Sequence, residues 1–150
     1  MAYQTVRDVV EHVRSLHSHL RRAAKQVKPK VGDHRSALLL EFIDQHEAAL
    51  ERAVQATTQR GGDTVLDTWL QFEQDKEVDR AMRRSENPSP SDDDVVAQVL
   101  ETENALIRLY QLLQGSTSAP SVQAFFESLL EMEDSAVRRS ARVKLEAHDF

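Results

Sequence analysis

Two histidines and two glutamates are the residues of this 150-residue chain whose types and spacing are best suited to chemistry. His17, His46, Glu103 and Glu133 each stand inside the apolar stripe of a predicted helix, so all four are expected to point into the core. A buried carboxylate needs a positive partner, which protonated imidazoles or a divalent metal could supply. Two imidazoles and two carboxylates suit iron, manganese or zinc. We therefore predict a metal site formed by these four side chains.

The four candidate ligands also lie at a common depth. The helices that carry them are predicted at about residues 5–27, 34–58, 92–114 and 120–145, and each candidate falls within about two residues of the middle of its helix. At a rise of 1.5 Å per residue, such offsets amount to about 3 Å along the bundle axis. The simplest prediction is one shared polar layer.

Two neighbouring carboxylates leave the size of the predicted site open. Glu47, beside His46, and Glu131, near Glu133, could widen the ligand set if the helices rotate slightly, and a two-metal site would need them. If the last helix rotates toward Met132, Glu131 would replace Glu133 as the ligand. The alternative is a structural network in which histidine–glutamate hydrogen bonds fix the helix register without any ion.

The elements that position these residues are all helical. Apolar spacing predicts five helices in a single domain over residues 1–150, the fifth being a shorter helix at about 64–84 between the two long pairs. Thr5 is expected to cap the first helix, Asp33 the second, and Pro120 suits the first turn of the last. Short loops make each pair a hairpin, and the order of hairpin, long crossover and hairpin predicts a four-helix bundle with one long connection.

The short helix carries an apolar group at its start. Trp69, Leu70 and Phe72 are expected to cap one end of the bundle core, because large apolar residues on a connection usually bury against the domain that holds them. The alternative is a docking surface, such as the interface of a homodimer.

Composition excludes several classes of function. The formal net charge of −6 argues against a nucleic-acid binder, and the absence of cysteine excludes disulfides and thiolate-ligated metals. No apolar run approaches a membrane span, and no signal peptide is visible, so a cytoplasmic protein is expected. The other histidines, at positions 12, 19 and 34, fall off the apolar stripes and are predicted to be solvated, while His148 belongs to the C-terminal tail.

The predicted topology resembles the ferritin-like superfamily, particularly small rubrerythrin-like bundles, over about residues 5–145. Glu103 matches the lone carboxylate that the family carries on the third bundle helix. The family's Glu-x-x-His motif is incomplete, because Arg14 and Ile43 stand three residues before the two histidines. The resemblance implies a ferritin-like four-helix bundle whose metal handles oxygen, peroxide or iron, and a single-metal, altered or lost site fits the same residues.

Two functions remain open on sequence alone. The first is a cytoplasmic metal-binding bundle, with iron as the leading metal, manganese or zinc as alternatives, and redox or oxygen handling as its activity if it has one. The second is a non-enzymatic bundle whose His/Glu layer is structural, which binds no metal, and which acts through its surface on a protein partner. The two differ in whether the layer binds an ion.

Overall fold

The helices of the chain account for nearly all of its described structure. The computed structural model describes residues 5–26, 35–61, 64–70, 76, 78–80, 83 and 92–133. Helix α1 spans Val6–Lys25, α2 spans Arg35–Gly61, α3 spans Asp92–Ser116 and α4 spans Pro120–Met132. Within these ranges the only extended pairing is an isolated antiparallel bridge between Thr5 and Trp69. The all-α prediction is confirmed.

Helix α1 begins where the sequence predicts. The Thr5 hydroxyl accepts a hydrogen bond from the Asp8 backbone N–H at 3.3 Å, and the Asp8 carboxylate accepts one from the Thr5 N–H at 3.0 Å. This reciprocal pair is a capping box, which satisfies two backbone donors that a helix start leaves open. The predicted cap at Thr5 is confirmed.

The other helix bounds differ from the predictions by a few residues. Helix α2 continues to Gly61 rather than ending near residue 58, and α3 continues to Ser116 rather than ending near 114. Pro120 occupies the first turn of α4, as predicted. The predicted cap Asp33 and the predicted continuation of the last helix over residues 134–145 lie outside the described residues.

The predicted helix over residues 64–84 is wrong at its start. Residues 64–70 form a turn followed by an extended segment, whereas residues 76, 78–80 and 83 are helical. The physical reason lies in the first turn of α1: the Val6 N–H donates to the Thr68 carbonyl at 3.1 Å and the Arg7 N–H to the Leu66 carbonyl at 2.7 Å. Crossover carbonyls thus satisfy helix-start donors that have no partner within α1.

The apolar group on the crossover divides between core and surface. Leu66 and Leu70 are buried. The prediction that Leu70 caps one end of the bundle core is therefore confirmed. Trp69 is 71% exposed, so the prediction that it caps the core is wrong. In the extended segment, successive side chains alternate between faces, and burying Leu70 therefore turns Trp69 outward. Phe72 lies outside the described residues.

Ion pairs and ring contacts give the directions of the helices. Arg14 binds Glu51 at 2.7 Å, while Arg21, later in α1, binds the earlier α2 residues Asp44 and Glu47, so these helices are antiparallel. In the second hairpin, the Tyr110 ring stacks on that of Phe126 with centroids 6.1 Å apart. Glu103, which comes before Tyr110, and Glu133, which comes after Phe126, both contact His46 Nδ1, so α3 and α4 are also antiparallel.

Two apolar clusters fill the interior, one at each end of the bundle. The starts of α2 and α3 share one cluster with the end of α1, and their second halves share the other with the start of α1 and with α4. Helices α2 and α3 therefore run parallel, which gives an up-down-down-up order. The connection between them must return along the length of the bundle, as the predicted long crossover requires.

Candidate metal centre

The four predicted ligands meet between the two apolar clusters. The Glu103 carboxylate lies between both imidazoles, with Oε1 at 2.9 Å from His17 Nε2 and Oε2 at 3.1 Å from His46 Nδ1. The second carboxylate, Glu133 Oε1, lies 3.5 Å from the same His46 nitrogen. None of the four residues is more than 2% exposed. The shared polar layer predicted from helix midpoints is therefore present, and its role as a metal site stays a prediction.

Local packing fixes each side chain of this layer, which we call the His/Glu layer. Each ligand follows the buried stripe of its helix, with Leu16 and Leu20 beside His17 and Ile43 and Leu50 on either side of His46 along α2. One turn before His46, the Phe42 ring meets the imidazole edge-on, with centroids 4.6 Å apart. This contact helps to set the orientation of the imidazole.

Helix α4 brings Glu133, not Glu131, to the layer. Glu133 continues the helix beyond Met132, and its backbone N–H reaches the carbonyls of Leu129 and Leu130. Glu131 is exposed, and the half-buried Glu47 forms an ion pair with Arg21. Neither of the two extra carboxylates therefore widens the ligand set.

The contacts within the layer are close but are not aligned hydrogen bonds. His17 Nε2, His46 Nδ1 and both Glu103 oxygens have no hydrogen-bond partner among the described residues, although the interatomic distances lie in the hydrogen-bond range. The ring N–H directions therefore miss the carboxylate oxygens. Close contacts of 2.9–3.5 Å between imidazole and carboxylate atoms link the four groups in this arrangement.

The proton affinities of the imidazoles respond to the carboxylates. Burial lowers the pKa of His17, but the negative charge of Glu103 outweighs burial and the pKa is raised. Burial likewise lowers the pKa of His46, and the carboxylates of Glu103 and Glu133 reverse the effect, so that this pKa is also raised. In the absence of a metal, the layer favours protonated imidazoles.

The pKa values of the two buried carboxylates are shifted in opposite directions. Burial raises the pKa of Glu103, but the two imidazolium charges beside it outweigh burial and the pKa is lowered. Burial also raises the pKa of Glu133, and the weaker contact with His46 does not compensate, so that this pKa remains raised. Glu103 is thus the carboxylate held in its charged form, and Glu133 is the one that retains a proton more easily.

Each nitrogen–oxygen separation in the layer, taken singly, lies near the distance between two ligands of one ion. Two ligands that are each about 2.1 Å from an ion lie about 3.0 Å apart at octahedral angles and about 3.4 Å apart at tetrahedral angles. The measured nitrogen–oxygen separations of 2.9, 3.1 and 3.5 Å span these values. As the side chains lie, however, no group of three or more histidine, aspartate or glutamate residues in the described ranges is arranged to hold a metal ion. A metal ion could be held here only if at least one of these side chains rotated.

A two-iron site of the ferritin-like kind does not fit the described residues. Such a site uses a Glu on each of two helices and Glu-x-x-His on each of the other two, which supplies four carboxylates. Among the described residues the layer contains two carboxylates, Glu103 and Glu133, because Glu131 is exposed and Glu47 pairs with Arg21 instead. The layer therefore lacks the carboxylates that a two-iron site of this kind uses.

Some polar and aromatic features near these helices were not predicted. Gln98 and Thr102 are buried on α3, one residue before Val99 and Glu103 respectively. Because both are polar, they do not contribute to the apolar spacing that predicts this helix. The edge contact of Phe42 with His46 was also missed, although their separation of four residues places them on one helix face.

The remaining histidines correct one prediction. His12 and His19 are half-buried, so the prediction that they are solvated is correct only in part. Both lie beside the buried stripe of α1, where one side of an imidazole ring can pack against neighbouring apolar side chains. His34 and His148 lie outside the described residues.

Comparisons with known proteins leave the site to be interpreted from its own geometry. No protein-family model, curated protein or solved structure matches this chain. In the part of the chain that the structure describes, no helix is long and apolar enough to cross a membrane.

Proposed function

We propose that this chain is a ferritin-like four-helix protein that binds one transition-metal ion at the His/Glu layer. The observation that carries the proposal is the Glu103 carboxylate, which is buried between two imidazoles that it contacts without aligned hydrogen bonds. Buried polar atoms are nearly always satisfied, so this group of close, misaligned donors is unusual as a finished hydrogen-bond network. An ion would satisfy the same atoms.

The chemistry of the donors defines the class of ion. Imidazole and carboxylate together suit iron, manganese and zinc, and the absence of cysteine removes the thiolate ligands that soft ions prefer. His17 would bind through Nε2, His46 through Nδ1, and Glu103 and Glu133 through their carboxylates. A bound iron or manganese ion would supply the capacity to bind oxygen or peroxide.

The helix directions support the ferritin-like part of the proposal. An up-down-down-up order with one lengthwise crossover is the arrangement that separates ferritin-like bundles from simple up-down bundles. Candidate ligands on α1, α2 and α3 and at the C-terminal end of α4, all at one depth, are also typical of metal sites in such bundles.

A second candidate function is an ion-free layer within a protein that acts through its surface. The direct contacts between imidazoles and carboxylates favour it, as does the absence of a ready-made ligand group among the described residues. In this case the layer would set the relative heights of the helices, as buried polar groups do in some coiled coils. Both functions require the same four residues, but only the first requires an ion.

Equilibrium dialysis of chelator-stripped protein separates the two functions. The full chain is dialysed against Mn²⁺, Zn²⁺ or, without oxygen, Fe²⁺, and bound metal is counted by elemental analysis. Metal binding predicts about one ion per chain in the wild type and in Glu127→Gln, a control at an exposed position of α4, and little in Glu103→Gln. Equal binding by all three proteins would show that the ions bind elsewhere. No binding by any of them would leave the ion-free function.

A further inference from the structure

We propose that two copies of this chain form a symmetric dimer in which Trp69 of each copy enters a groove on the other. The contact does not involve the His/Glu layer and requires no metal. Each copy supplies both halves of the contact, because an exposed indole on a fixed backbone segment lies beside an uncharged groove of suitable size.

Trp69 is held outward by the segment that carries it. Among the described residues it is the one large apolar side chain that lies exposed, at 71%. The neighbouring Leu70 is buried, and Trp69 itself forms the backbone bridge with Thr5. Two hydrogen bonds from α1 hold the carbonyls of Leu66 and Thr68 just before it. Turning the side chain inward would break these contacts, and an aromatic anchor held in place in advance loses little conformational freedom on binding.

A groove of about 310 Å³ opens where α2, the crossover and the start of α4 meet. Its lining includes the buried Ala53 and Phe125 and the exposed Ala124. Of the nine described residues that line it, four carry a hydroxyl group and none carries a charge. A cavity of about 150 Å³ accommodates benzene, so this groove has room for the two-ring indole of a tryptophan.

The lining also matches the chemistry of an indole. The apolar side chains of Phe125 and Val65 suit the flat ring, which gains most from aromatic and aliphatic contacts. The indole N–H can only donate, and it needs an acceptor when the ring is buried. Lining hydroxyls, among them those of Thr57 and Ser128, can accept that hydrogen bond. A neutral aromatic side chain therefore suits the groove better than a charged one.

Trp69 and the groove are neighbours on one copy. Val65 lines the groove, and the Thr68 N–H donates to the Val65 carbonyl at 3.2 Å, which closes a turn. Such a turn keeps its end Cα atoms within about 7 Å and the next Cα is about 3.8 Å further on, so the Cα atoms of Val65 and Trp69 are at most about 11 Å apart. A twofold axis between the two features lets two copies exchange their indoles and closes the assembly at a dimer.

The expected dimer is weak. Each buried indole contributes about 150–250 Å², so two of them supply only part of the roughly 1,000 Å² that a specific interface buries. Each copy also carries a formal net charge of −6, which opposes association until salt screens it. The chain is therefore expected to be monomeric, with Trp69 exposed, in dilute solution and to dimerise as its concentration rises.

The fluorescence of Trp69 reports this contact directly, because the chain has a single tryptophan. The full chain is studied by analytical ultracentrifugation and by fluorescence from about 1 μM to about 1 mM, with chelator present and at physiological salt. The wild type should change from monomer to dimer over this range. In parallel, the emission of Trp69 should shift to shorter wavelength and become protected from quenching by acrylamide.

Two variants remove one half of the contact each. Trp69→Ser should weaken dimerisation by at least about 30-fold, the scale expected of an anchor residue. Ala124→Gln places a larger side chain in the groove and should weaken dimerisation similarly, while its Trp69 stays exposed at every concentration. The matched control is Ala97→Gln, the same change at an exposed position of α3 beside the apolar cluster at the other end of the bundle. The control should dimerise like the wild type, and circular dichroism checks that each variant is folded.

Three results would overturn the proposal. Dimerisation without a change in Trp69 emission would place the contact elsewhere on the surface. Dimerisation that Ala124→Gln weakens no more than Ala97→Gln does would show that Trp69 meets a surface other than the groove. A wild type that stays monomeric over the whole concentration range would show that a second copy does not fill the groove.

Discussion

Replacing Glu103 by glutamine should destabilise the metal-free protein more than any other isosteric change in the His/Glu layer. Glu103 is 2% exposed and is the only described carboxylate within 3.1 Å of both imidazoles. The change leaves its shape intact and removes the negative charge that raises the pKa of His17 and His46. Two imidazolium groups would then share the carboxylate of Glu133 or lose their protons.

The magnitude follows from the two contacts that are lost. Each interaction with a charged group contributes about 1.5–3 kcal/mol, and removing one member of a buried ion pair costs about 3–5 kcal/mol. Deprotonation of the imidazoles limits the loss, so we expect about 3 kcal/mol at pH 6 and a smaller loss at pH 8. Since a domain is stable by about 5–15 kcal/mol, such a loss is a large part of the total.

Urea unfolding followed by circular dichroism measures this difference. Wild type, Glu103→Gln and the surface control Glu127→Gln are compared at pH 6 and pH 8 in the presence of chelator. The control should differ from the wild type by at most about 0.5 kcal/mol. A loss in Glu103→Gln no larger than in the control at pH 6 would refute the charge account of the layer.

Three further predictions test other parts of the account. The metal-free wild type should be most stable in mildly acidic solution, as measured by urea midpoints across pH. Because the pKa values of His17 and His46 are raised, their contribution to stability is complete below their ordinary pKa and is lost as pH rises through the raised values. The raised pKa of Glu133 acts in the same direction. On the acid side, the lowered pKa of Glu103 means that its contribution is present above its ordinary pKa and is lost as pH falls through the lowered value, so a flat profile would contradict both directions. Thr5→Ala should cost about 1 kcal/mol in urea unfolding because it removes the side-chain cap of α1, and a neutral result would show that the crossover contacts alone maintain this helix start. Trp69→Ser should change the free energy of unfolding by at most about 0.5 kcal/mol because the side chain is 71% exposed, and a loss of several kcal/mol would show that Trp69 is buried in solution.

The parts of the fold that follow helical periodicity could be predicted from the sequence. Val9, Val13 and Leu16 repeat at the spacing of one helix face, and the same spacing identified His17 as a core residue before its partners were known. Because His46, Glu103 and Glu133 also lie near the middle of their predicted helices, the sequence predicted that they share one layer with His17.

The crossover could not be predicted in the same way. Residues 64–70 have apolar side chains that suit either a helix or an extended segment, and the backbone contacts that decide between them come from α1, about 60 residues earlier in the chain. Trp69 was misassigned for this reason, since its exposure depends on the extended backbone that alternates it with Leu70. The rotation of the last helix was likewise decided by packing, which selected Glu133 over Glu131.

The central claim is that one ion binds between His17 Nε2 and His46 Nδ1. Nitrogen-15 NMR of the histidine side chains, recorded while Zn²⁺ is added to the metal-free full chain, tests it at the level of single atoms. These two ring nitrogens should take on metal-bound chemical shifts at about one equivalent of zinc, before any nitrogen of His12 or His19 responds. Unchanged shifts at both layer histidines, with or without zinc binding at the surface, would contradict it.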